Sequence, residues 1–84
     1  MQEIKREVRA FIATELGRDI GDVGDQASLL EAGILDSMGV LALVSFIQQR
    51  YGVEISDDDM MPEHFDSFDA IATYVASKRA ALHE

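Results

Sequence analysis

The segment from Asp36 to Gly52 constrains the fold of this chain most. Between those two residues runs Ser-Met-Gly-Val-Leu-Ala-Leu-Val-Ser-Phe-Ile-Gln-Gln-Arg-Tyr, in which Arg50 is the sole charge. Asp36 has the short carboxylate of a helix N-cap. Gly52 can take the left-handed conformation that ends a helix. Leu43, Ile47 and Tyr51 recur at i, i+4, i+8, and Val40, Leu41 and Val44 widen the stripe. This predicts a helix over Ser37–Tyr51 that is apolar over much of its surface, the most buried helix of the fold. A chain of 84 residues must cover it within one domain, residues 1–84, built around one small core.

The cover comes from further helical patterns. Ile4, Val8, Phe11, Ile12 and Leu16 give one apolar face from about Glu3 to Leu16, with Gly17 placed to end that helix. A long connection follows, from about Arg18 to Asp36, rich in Gly and Asp. Its Ile20, Val23, Leu29, Leu30, Ile34 and Leu35 predict that it lies over the core. Within it, Ser28 is placed to cap a short turn through Gly33. Val53-Glu54-Ile55 reads as an extended linker. A short helix is expected from Asp57 to Met61, capped by Ser56 and blocked by Pro62. A last helix runs from about Ser67 to Leu82, with Asp66 as cap, Asp69 three residues on, and Phe65 stapling its start. Phe68, Ile71, Ala72 and Val75 form its inner face. The expected fold is all-α, a small antiparallel four-helix bundle with a long first loop and a short third helix.

Composition removes several functions. With no cysteine, disulfide scaffolds and thiolate metal sites are excluded, and thiol chemistry requires an attached cofactor. A net charge of −9 disfavours nucleic acid and anionic membrane as partners and favours basic ones. No apolar run approaches a membrane span, and the N-terminus lacks the apolar stretch of a signal peptide. A cytoplasmic protein is expected, without stable membrane insertion.

The chemistry concentrates at Ser37. Its hydroxyl is expected to be exposed where a loop ends and the apolar helix begins, at the positive end of that helix's dipole. A phosphate ester is favoured there by the dipole and by free amide N–H groups. Gly39 lies two residues on, where glycine costs a helix about 1 kcal/mol relative to alanine. A side chain at that position is expected to obstruct whatever Ser37 carries or whatever docks there. Met38 is expected to be exposed, a flexible apolar contact beside the site.

The stretch Leu29-Leu30-Glu31-Ala32-Gly33-Ile34-Leu35-Asp36-Ser37-Met38, with the helix after it and the Asp66 to Val75 pattern downstream, resembles the attachment site of the acyl carrier and peptidyl carrier protein family. The resemblance covers the chain from Ile4 to Val75. It implies that Ser37 carries 4′-phosphopantetheine, whose thiol tethers acyl or aminoacyl thioesters, and that the chain itself is not an enzyme. Asp36 and Met38 flank the cofactor, and Asp36 is also placed to serve the modifying transferase. Implied partners are a phosphopantetheinyl transferase, an acyltransferase or adenylating ligase, and a downstream synthase or transferase, meeting a monomer. A groove between the second and third helices is expected to shelter part of the cargo.

One departure bears on those partners. Carriers of primary fatty acid synthesis typically present acids along the second helix, but Ser37 to Val53 holds none. Docking through Met38, Gly39, Leu41, Ala42 and Ser45, by apolar and neutral polar contact, is therefore expected. Gly-Ile-Leu-Asp-Ser-Met-Gly also looks like the D-alanyl carrier of teichoic acid modification. The stretches Tyr51 to Ile55 and Pro62 to Ser67 look more like stand-alone carriers of polyketide or nonribosomal peptide pathways, the reading favoured here. A helical interaction module without cofactor would share every helix. Asp57-Asp58-Asp59 lacks the alternate ligand spacing of a calcium loop, His64 and His83 are too isolated for a metal site, and Ser37 lacks the nucleophile-elbow pattern of a hydrolase.

Overall fold

A computed structural model describes residues 2–82. In chain order the helices are α1 (Gln2–Thr14), α2 (Ser37–Tyr51), α3 (Pro62–Phe65) and α4 (Phe68–Leu82), with a 3₁₀ turn at Asp57–Asp59 between α2 and α3. The described residues contain no strand. The fold is a small helical bundle, and its radius of gyration of 11.9 Å equals the roughly 12 Å of a compact chain this long.

Helix α2 has the predicted ends. Asp36 is extended (φ −128°, ψ −173°) and its carboxylate accepts the Gly39 N–H. Gly52 is left-handed at φ +67°, and its N–H closes on the Gln48 carbonyl. Leu43 and Ile47 are fully buried. Leu41, expected in the apolar stripe, is instead half exposed at 52%. Helix α4, not α2, buries more: Phe68, Ile71, Ala72, Tyr74 and Val75 all lie in the core, and α4 shares its most extensive interface with α1. The start of α2 is left open, with Met38 and Leu41 exposed.

Helix α1 buries Ile4, Val8 and Ile12. It ends at Thr14, one half-turn earlier than predicted. The Glu15 N–H still reaches the Phe11 carbonyl at 2.7 Å, and the left-handed Gly17 (φ +65°) turns the chain away. Phe11 is only half buried and stacks on Phe46, ring centroids 4.5 Å apart.

The region after α2 departs most from expectation. Val53 and Ile55 are buried on either side of exposed Glu54, as suits an extended linker. The short helix predicted over Asp57–Met61 is only a 3₁₀ turn, and Pro62 opens α3 instead of blocking it. Proline lacks the N–H that a first helical turn leaves unpaired anyway, and its φ is already helical. The cap of α4 also moves by one residue: Ser67 Oγ accepts the Ala70 N–H at 3.0 Å. Asp66 is engaged elsewhere, and Asp69 pairs with Lys5.

Candidate functional site

The long connection is held in place by three anchors before it reaches α2. Leu29 is fully buried, and its carbonyl accepts the N–H groups of Ile34 (2.9 Å) and Leu35 (3.1 Å). Its own N–H donates to the Asp66 carbonyl. Asp66 Oδ1 accepts Ser28 Oγ–H at 2.7 Å and the Leu30 N–H at 3.2 Å. Ser28 in turn caps its turn as predicted, Oγ accepting the Glu31 N–H at 3.1 Å, and Gly33 leaves it at φ +74°. Further back, the Arg9 guanidinium donates to Asp25 at 2.7 Å and to the Val23 carbonyl at 2.8 Å, and lies 4.2 Å over the Phe68 ring. That guanidinium, with Lys5 beside it, holds the Asp25 carboxyl below the usual carboxylate range.

Ile34 and Leu35 are then buried side by side. They fix the chain so that Asp36, Ser37 and Met38 emerge into solvent together, all three exposed. Ser37 is the first residue of α2, where the dipole of a helix is positive. Asp36 Oδ1 holds the Gly39 N–H at 2.8 Å, while Oδ2 lies 3.9 Å from the Arg18 guanidinium. That cation offsets part of the negative charge Asp36 sets beside Ser37. Met38 is 75% exposed.

Ser37 stands on the lip of an open groove of about 460 Å³. Its lining comes from α2 and its cap (Asp36, Ser37, Val40, Leu41), from the segment around α3 (Met60, Met61, Phe65) and from Leu30 of the long connection. The lining is mostly apolar, so the groove suits a hydrocarbon chain better than an ion. It runs between α2 and the segment around α3, where the sequence led us to expect one.

The predicted docking residues do not share one face. Met38, Leu41 and Ser45 are exposed and Ala42 is half buried. Gly39 is buried. A Cβ there would lie 3.2 Å from Leu35 Cδ2 and 3.3 Å from Asp36 Oδ1. Gly39 thus serves the close packing of the first turn on the loop, and its expected place on an exposed surface is corrected. The groove wall Met60, Met61 and Phe65 escaped sequence reasoning, because the Asp57–Met61 segment read as a helix of its own. Two methionines beside a proline were the available signal. No helix among the described residues is long and apolar enough to cross a membrane.

A sequence model of the family described as "Phosphopantetheine attachment site" matches residues 6–75. The chain belongs to that family, the phosphopantetheine-bearing carrier proteins. The carrier is 29% identical over 77 residues to an acyl carrier protein of Thermotoga maritima, covering 92% of this chain and 93% of that one. It is 24% identical over 76 residues to an acyl carrier protein of Chlamydia caviae, covering 90% and 96%. The cofactor of such a carrier is covalent 4′-phosphopantetheine, and the matched span includes Ser37. The residues present fit that group: an exposed hydroxyl, a positive helix end for the phosphodiester, and an apolar groove beside it.

Proposed function

We propose that Ser37 is the attachment residue and that the protein carries acyl or aminoacyl cargo for a polyketide or nonribosomal peptide pathway in the cytoplasm. The observation that supports it best is the exposed Ser37 hydroxyl at the first position of α2, on the lip of the apolar groove. When bound, the cofactor supplies a thiol that holds cargo as a thioester. The chain's own residues do the rest. Asp36 caps α2 and so holds the first turn that carries Ser37. Arg18 tempers the local negative charge. Val40, Leu41, Met60 and Phe65 exclude water from an apolar cargo. Tethering keeps that cargo at high effective concentration for each enzyme in turn.

The pathway reading rests on α2. Its surface offers Met38, Leu41 and Ser45 and no acid, so a phosphopantetheinyl transferase and the loading acyltransferase or ligase meet an apolar, neutral face. The acids stand elsewhere, Asp57 and Asp58 exposed among them. Transferase kinetics on Met38→Glu and Leu41→Glu beside Asp57→Lys/Asp58→Lys test this. The first two should raise KM for the carrier, and the third should leave it near the parent value. The reverse ranking would contradict docking through α2 and favour an acid-led partner set like that of fatty acid synthesis.

A further inference from the structure

The wall of the groove is suspended from residues that do not line it. Met60 and Met61 belong to the segment between Ile55 and α3, which has little regular structure beyond the single turn Asp57–Asp59. At one end, the Ile55 N–H donates to Gln48 Oε1 of α2 at 2.9 Å. At the other, Asp59 Oδ2 accepts Tyr74 Oη–H at 2.8 Å and Lys78 Nζ at 2.9 Å, both from α4. The Tyr74 ring is buried and packs on His64 (centroids 4.9 Å) and Phe65 (5.5 Å). Phe65 is itself part of the wall. The two methionines have flexible unbranched side chains that do not fix their own position. Their place in the groove lining is therefore set by the polar anchors on either side.

We propose that Asp59, held by Tyr74 and Lys78, is a positioning residue that determines which cargo lengths the groove shelters. This rests on the reading that Ser37 bears the arm and that the groove receives its cargo. Cargo too short to reach Met60 and Met61 is indifferent to the anchor, and cargo long enough to touch them depends on it. Charge supports the geometry. The Lys78 ammonium, then the Tyr74 hydroxyl, keep the Asp59 carboxyl below the usual range, and burial with Asp59 nearby pushes the Tyr74 phenol up to about 12. Near neutral pH the Asp59 carboxylate is therefore charged and the Tyr74 phenol neutral, as a fixed strut requires.

Two variants test it. Asp59→Asn removes the charge, and Tyr74→Phe removes only the hydroxyl while keeping the ring on Phe65. In the cofactor-free protein, the methyl resonances of Met60 and Met61 should shift and sharpen in both variants, while that of Met38 stays in place. In protein loaded with acetyl or octanoyl phosphopantetheine, the parent should protect octanoyl from hydroxylamine more than acetyl. Both variants should lose most of that difference, with acetyl cleavage unchanged. Parent-like methyl spectra, or a parent-like ratio of octanoyl to acetyl cleavage in the folded variants, would overturn the proposal. A protein that cannot be loaded at Ser37 would sink the attachment reading instead, and the methyl spectra of the cofactor-free protein would still decide on the anchor.

Discussion

Ser28 and Asp66, thirty-eight positions apart, are joined by a hydrogen bond of 2.7 Å between hydroxyl and carboxylate. Through it the junction between α3 and α4 holds the loop that delivers Ser37. Asp66 Oδ1 also accepts the Leu30 N–H, so Asp66→Ala removes two bonds and leaves two donors to find water. A loss of about 1–3 kcal/mol is expected, with exchange broadening in the amides of residues 28–35. Urea unfolding and backbone NMR would show it. Unchanged stability would mean that the buried Leu29, Ile34 and Leu35 hold the loop alone.

The core makes a sharper demand. Leu43 is fully buried in α2, and Leu43→Ala should cost about 2–5 kcal/mol. Leu41→Ala, two residues away and half exposed, should cost under about 0.5 kcal/mol while weakening enzyme encounters. Denaturation midpoints with transferase KM values separate the two roles.

Much of this was legible beforehand. The ends of α2 follow from Asp36 and Gly52, and the inner face of α4 from Phe68, Ile71, Ala72 and Val75, because caps and helical periodicity act locally. Three features depend on tertiary packing that caps and periodicity do not encode. Asp66 looked like a cap until Ser28 claimed it. Asp57 to Met61 looked helical until Asp59 was drawn to Tyr74 and Lys78. Gly39 looked exposed because Leu35 of the loop and Leu16 from beyond the end of α1 pack against it only in the folded chain.

Gly39→Ala sets two effects against each other. Alanine gains about 1 kcal/mol of helix propensity, but its Cβ meets buried Leu35 and the oxygen that caps the helix. Overpacking of about 1–3 kcal/mol should win, giving a less stable protein with a disturbed loop. Thermal unfolding with amide shifts of Leu35 and Asp36 checks this. A stabilised variant would show that the loop has slack.

Acid should loosen the fold through its paired carboxylates. Asp25 is held low by Arg9 and Lys5, Glu7 by Tyr51 and Arg50, and Asp59 by Lys78 and Tyr74. A carboxyl whose folded pKa is depressed adds stability above its unfolded pKa, about 4. That stability is lost as pH falls through the lower folded value. Asp25→Asn should therefore lower Tm at pH 7, and the gap from the parent should shrink steadily below about pH 4. A gap independent of pH would mean that the ion pairs with Lys5 and Arg9 contribute nothing.

The central claim is that Ser37 carries the cofactor, and intact mass tests it most directly. The parent and Ser37→Ala would be incubated with CoA, magnesium and a broad-specificity phosphopantetheinyl transferase. A gain of one phosphopantetheine in the parent, and none in Ser37→Ala, is the result expected of the attachment residue. Equal gain in both, or none in a folded parent that the transferase demonstrably binds, would contradict it.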